Sequence, residues 1–267
     1  MQLPWPILWL DCDDRLKEMS RAEELITTKK VIPWTLSAPL LEESIRSRQT
    51  SIEERGKFRT MGAPKRQPKG YIQFLDMLDR AREEIPTLGV RTLVIDPMTR
   101  VIEHMARFLQ YQTKHGVIEE SGWGIYLSNL EEVMGNILAI PDVNKVFIFH
   151  SREYRDPDSG NLQSTKPLIS GQMQPKVGSY FAEVWHTFTK DRGDGIEWLI
   201  QTQPTNWIDC RTSRPLKPIE TAYFPALLEK GGWTKPFTVM LFGSFGSGKT
   251  TLALSLCDVK EEEKKDD

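Results

Sequence analysis

The sequence predicts a doubly wound, mostly parallel α/β sheet, and three features lead to that reading. Four apolar runs of strand length, Pro6–Leu10, Thr92–Ile95, Lys145–Phe149 and Thr238–Phe242, are continuous rather than alternating, as expected of strands covered on both faces. Helical periodicity separates them. Ile72–Ile85 sets Phe74, Leu75, Leu78 and Ala81 on one face, and Ile125–Ile140 does the same with Leu127, Leu130, Val133, Met134 and Ile137. Finally, the apolar runs end in acids, a histidine or a glycine-rich turn, and the carboxyl ends of strands are where such sheets bind ligands.

The 267 residues, 39% hydrophobic and 27% charged, suit one large domain over 1–257 followed by a charged tail, 258–267. A formal charge of −2 excludes coating nucleic acid by bulk charge, so a polyanion must meet a local basic patch. Three well-separated cysteines (Cys12, Cys210, Cys257) exclude a disulfide framework and a Cys-x-x-Cys zinc site. With no apolar run long enough to span a bilayer and no basic n-region at the start, the expectation is a cytoplasmic protein without a membrane partner.

Along the chain, PILWL runs into Asp11, Asp13 and Asp14. Arg55–Gly70 carries six basic residues and no acid, and reads as a loop, either solvated or in contact with a phosphate backbone. From Val184 onward, Trp185–Lys190, Gly193–Gly195 and Glu197–Thr202 read as a β-hairpin appended to the sheet. Residues 203–233, rich in Pro, Thr and Arg, are expected to cross the surface.

Chemistry concentrates in Gly243-Ser244-Phe245-Gly246-Ser247-Gly248-Lys249-Thr250, which fits G-x-x-x-x-G-K-[ST] without deviation. A strand precedes it and an apolar helical stretch, Thr251–Leu256, follows. The glycines let successive backbone N–H groups point at phosphate oxygens, and the helix start favours negative charge. Lys249 would reach the β/γ-phosphates, Thr250 would hold Mg²⁺, and Thr251 would complete the nucleotide-binding stretch.

Such a site needs a carboxylate for the metal's water shell at the tip of a neighbouring strand, and Asp96 after Leu93-Val-Ile supplies it. Asp11 and Asp13 are expected to point the same way beyond PILWL, with Asp13 the acid that activates water. His150, after KVFIF, is the candidate sensor of the γ-phosphate. His104, His115 and His186 receive no role.

The parts come in an unusual order, because Asp96 precedes the glycine-rich loop. Moving Lys235–Asp267 to the front restores strand, phosphate loop and helix ahead of PILWLDCDD, with Lys230–Lys235 as a joint. The reading is a circularly permuted P-loop domain.

In that order the chain resembles the RecA-like ATPases, in particular phage-encoded nucleotide-binding proteins of single-strand annealing and recombination. GSFGSGKT, the strand ending Asp11–Asp13, LVIDPMT, the Trp123-Gly124 pair before a long helix and VFIFHSRE carry the resemblance. It implies ATP and Mg²⁺ as cofactors, Lys249, Asp13 and His150 as catalytic, and Thr250 with Asp96 at the metal. It further implies a DNA-binding segment, Ser151–Met173, in which Arg152, Arg155 and Lys166 would meet phosphates. Side-by-side assembly is also implied, with Lys190 and Arg192 reaching a neighbour's nucleotide, and so is a host cytoplasm if the gene belongs to a phage. Residues 16–70 have no counterpart in it.

Three functions follow from these residues. The leading one is an ATPase acting on single-stranded DNA. A permuted GTPase is disfavoured because Asn144-Lys145-Val-Phe and Thr189-Lys190-Asp191-Arg192 both miss the guanine-specifying pattern. A nucleotide-binding scaffold with little turnover would result if Asp13 were displaced from Lys249.

Overall fold

In the computed structural model of the chain, residues 3–37, 68–113, 118, 120–169 and 172–260 are described. Strand faces explain why the apolar runs are unbroken. Along β1 (Ile7–Asp11), Ile7 and Trp9 enter one core while Leu8 and Leu10 enter another. The same division recurs in β3 (Thr92–Asp96), β4 (Asn144–Arg155) and β9 (Thr238–Gly243): Val94, Ile148 and Leu241 go one way, Ile95, Phe149 and Phe242 the other. Each fully buried Leu or Phe contributes about 1.5–3 kcal/mol, so both faces drive folding and neither leaves room for polar alternation.

The remaining strands are β2 (Val31–Thr35), β5 (Leu162–Pro167), β6 (Glu183–Asp191), β7 (Ile196–Gln201) and β8 (Ile219–Thr221). They form one mixed, mostly parallel sheet of nine strands in the order β2-β1-β3-β4-β9-β6-β7-β8, with β5 antiparallel on the far end of β4. From β2 to β6 every pairing is parallel; β6, β7 and β8 are antiparallel. The strand last in sequence thus lies near the middle of the sheet, between β4 and β6.

Helices cover both faces. On one side pack α2 (Gly70–Leu88), α3 (Met98–Gln112), α4 (Glu120–Leu138) and the short α5 (Met173–Val177), through residues such as Phe74, Met105, Tyr126 and Met173. On the other pack α1 (Ala22–Thr27), α6 (Phe224–Gly231) and α7 (Lys249–Leu254), through Leu25, Leu227 and Ala253. The segments flanking β1 and β2 meet the turn after α7. The Trp5 indole donates to the carbonyl of Val259 at 3.2 Å, Lys30 to that of Cys257 at 3.1 Å, and Arg21 pairs with Asp258 at 2.6 Å. Cys12, Cys210 and Cys257 are buried free thiols. No helix among the described residues is long and apolar enough to cross a membrane.

Several expectations need correction. Residues 203–233 do more than cross the surface: Leu216, Phe224, Leu227, Leu228 and Trp233 are core, and the segment holds β8 and α6. Trp123-Gly124 lies inside α4 rather than before it, with Trp123 edge-on to Tyr126 at 5.4 Å. β2 gave no strand signal because it is a half-buried edge containing Pro33, and β5 gave none because it is polar. The basic stretch Arg55–Gly70 lies outside the described residues up to 67, as does the tail beyond Lys260. Asp258, assigned to that tail, instead closes the turn after α7.

Candidate functional site

β9 ends at Gly243, and nothing larger than glycine fits there. A Cβ at Gly243 would stand 2.3 Å from Thr187 Oγ1 and 2.5 Å from both Ser247 Oγ and the Thr187 carbonyl. The loop then turns through Gly246 (φ 73°) and Gly248 (φ 84°), left-handed positions that glycine adopts without steric cost. Buried Ser247 shares a 2.7 Å hydrogen bond with the hydroxyl of Thr187 on β6, which ties the loop to the next strand. Ser244 and Thr251 are exposed, and Phe245 projects from the loop with 68% of its surface free.

Lys249 opens α7 with only 6% of its surface exposed. Its ammonium donates to the carbonyls of Gly243 at 3.0 Å and Ser244 at 2.7 Å, and lies 3.4 Å from Ser247 Oγ. Burial lowers its pKa to about 8, partly opposed by the nearby Asp96 carboxylate. The cation is therefore held inside the loop rather than spread into solvent.

Thr250 Oγ1 donates to Asp96 Oδ2 at 2.8 Å. Burial of that carboxyl raises its pKa to about 7 despite the bond from Thr250, and Asp13 and Asp11 add to the rise. The acid does not stand on a neighbouring strand, as the sequence suggested: β4 lies between β3 and β9. The turn from Gly248 into α7 carries Thr250 to the carboxyl edge, where Asp96 ends β3.

The two aspartates after PILWL take different places. Regular alternation ends with β1 at Asp11, which is buried and accepts the backbone N–H groups of Arg15 at 3.2 Å and Leu16 at 3.0 Å. Asp13 lies beyond the strand, in a turn that passes through the left-handed Asp14, so the expected common direction does not apply. Its carboxylate is 3.7 Å from the Arg15 guanidinium. Burial, then Asp11, raises the pKa of Asp13 to about 6, while Arg15 and Arg100 pull it down.

His150 is the β4 residue in register with Gly243. Its backbone N–H donates to Thr99 Oγ1 at 3.0 Å, which ties β4 to the start of α3, and its ring stacks on Phe245 with centroids 4.0 Å apart. Nδ1 is buried without a hydrogen-bond partner among the described residues. Burial, reinforced by Lys249, Arg100 and Arg15, lowers its pKa to about 4, so the ring is neutral near pH 7.

Beyond His150 the strand continues into a hairpin with β5. Arg152 faces Lys166 across that pair, and both guanidinium and ammonium approach the Tyr154 ring, at 5.5 and 6.0 Å. Arg155 behaves differently, bound to Glu153 at 2.7 Å and to the Gly160 carbonyl at 3.2 Å. At the tip of the β6–β7 hairpin, Arg192 is paired with Glu197 at 2.7 Å, whereas Lys190 is exposed.

Sequence reasoning missed Thr99, Thr187, Arg100 and Trp198. The first two are hydroxyls whose partners lie on elements distant in sequence, so they carry no local signal. Trp198 reaches the loop only because β7 folds back beside β6.

The donor set suits a magnesium ion. Among the described residues no group of three or more His, Cys, Asp or Glu side chains is placed to hold a metal unaided. One hydroxyl and one carboxylate are what this ion takes when phosphates and water complete its shell. A cleft of about 100 Å³ lies at the opposite, amino-terminal edge of the sheet, between Pro4, Arg91, Asn144 and Phe237, and has no part in this arrangement. Comparison of the chain with protein-family models, curated proteins and solved structures finds no match.

Proposed function

We propose that the chain binds and hydrolyses ATP with Mg²⁺, as a circularly permuted RecA-like P-loop ATPase acting on single-stranded DNA. The observation that carries this reading is the 2.8 Å bond between Thr250 and Asp96, which joins the glycine-rich loop to a carboxylate 154 residues away. The position of β9 between β4 and β6, and the Trp5–Val259 contact, support the permuted order.

Backbone N–H groups of the loop and Lys249 bind the phosphates and stabilise charge as it develops on transfer. Bound magnesium supplies further neutralisation of phosphate oxygens. Thr250 and Asp96 orient that ion's shell. Asp13, with a pKa of about 6, is ionised at neutral pH and accepts a proton from the attacking water. Neutral His150 offers a hydrogen bond from its ring rather than a charge.

Arg152 and Lys166, flanking Tyr154, form the basic and aromatic surface that a single strand requires. Side-by-side assembly, with Lys190 as an exposed cation near the hairpin tip, belongs to the same reading. The guanine alternative loses support from geometry. Asn144 is at the amino-terminal edge, bonded to Thr92 and Phe237, and Asp191 accepts the Gly193 N–H within its own turn.

The test is phosphate release from ATP with and without single-stranded DNA. Turnover raised by DNA is expected. Absence of both binding and turnover would remove the proposal, and ATP binding without turnover would favour a scaffold.

A further inference from the structure

A triphosphate held by the loop leaves its nucleoside to lie on whatever surface borders the loop. Two aromatic rings border it. Phe245 is already engaged, stacked on His150 with Arg15 6.0 Å from its centroid. Trp198 is not: 46% of its surface is exposed, and its indole has no aromatic or cationic partner among the described residues.

The backbone of Trp198 is nevertheless fixed in place. The residue sits on β7 in register with Thr189, its backbone carbonyl accepts the Ala222 N–H at 3.0 Å, and two residues further Ile200 is fully buried. Its ring edge comes so close to the loop that a Cβ on Gly248 would stand 2.7 Å from Trp198 Cδ1. Gly248 is thus required twice, for its left-handed turn and for the approach of the indole. Exposed Ile196 lies two residues away on the same side of β7.

Resting on the reading of the loop as a triphosphate site, we propose that Trp198 is the platform on which the nucleobase stacks. It is a binding residue supplied by the appended hairpin rather than by the loop. Because every base offers a π-face, this platform adds affinity with little discrimination among bases.

The experiment compares, on the full chain with magnesium, equilibrium binding of ATP and of inorganic tripolyphosphate. Trp198→Ala is expected to weaken ATP about ten- to a hundredfold and leave tripolyphosphate unchanged, with Trp198→Phe retaining most of the ATP affinity. Unchanged ATP affinity in the alanine variant overturns the proposal. So does an equal loss for both ligands, since Trp198 would then only brace the loop. If the unmodified chain binds neither ligand, the phosphate-site reading itself fails, and Lys249→Ala marks that case apart by abolishing both when the site is real.

Discussion

The Thr250 hydroxyl donates to the Asp96 carboxylate at 2.8 Å, although that acid ends β3 and the loop springs from β9, with β4 between them. The pair is where the two halves of the proposed site meet. It also places a carboxyl with a pKa of about 7 beside a hydroxyl and an ammonium. Its ionisation is therefore coupled both to folding and to whatever binds there.

Asp96→Asn keeps an acceptor for Thr250 and removes the charge. ATP turnover is expected to fall about 10–100-fold. Because folding raises this pKa from 3.8 to about 7, Asp96's contribution to stability is complete below pH 3.8 and is lost as pH rises through 7. Asparagine does not titrate. The gain in denaturation midpoint of the variant over the parent should grow across that window and then level off. His104, His150 and His186, each lowered from 6.5 to about 4, act in the opposite sense but cancel in this difference. A gap independent of pH would rule out the buried carboxyl as its source.

Asp13→Asn is expected to leave ATP binding intact and slow hydrolysis by about 10²–10⁴-fold. In the parent, the catalytic rate should rise with pH through about 6 and then level, as Asp13 ionises. Single-turnover rates from pH 5 to 8 check both statements, and a variant with the parental rate would take Asp13 out of the chemistry.

Lys249→Met preserves the buried stem and deletes the ammonium that binds the Gly243 and Ser244 carbonyls. Loss of measurable ATP binding by calorimetry is expected. Retained affinity would mean that the loop is a structural turn.

Gly243→Ala should destabilise the fold by about 1–3 kcal/mol, since the new methyl would meet the Thr187 carbonyl, which cannot swing aside. Gly124→Ala, in helix α4 with open space around it, should be neutral or stabilising by about 1 kcal/mol. Urea denaturation of the two variants gives the comparison, and equal effects would refute the packing argument.

Arg152→Ala and Lys166→Ala are each expected to reduce single-stranded DNA affinity and flatten its dependence on salt. Arg155→Ala should do less, because its guanidinium is already spent on Glu153 and Gly160. Fluorescence anisotropy at several salt concentrations separates them, and an unaltered salt slope in the first two would exclude that hairpin face.

Much of this molecule was legible before any coordinates. Continuous apolar runs announced strands buried on both faces, since hydrophobic burial is read residue by residue. The glycine-lysine-threonine string announced its turn because left-handed backbone and a helix start are local requirements. Asp96 and His150 stood out for the same reason, as polar tips on apolar strands.

Other features had no local trace. That Asp11 would turn inward to hold the Arg15 and Leu16 amides while Asp13 fell in the turn beyond the strand depended on where β1 ended. That Thr187 would brace Ser247, that Phe245 would lie on His150, and that Trp198 would lean over Gly248 depended on which strands became neighbours. Sequence alone determined the elements, their buried faces and the chemistry at their tips, because those follow from periodicity and backbone sterics over a few residues. Only the tertiary structure decided the strand order and, with it, which tips touch. Contacts between segments far apart in the chain come from the packing of the whole sheet, and no short stretch encodes them.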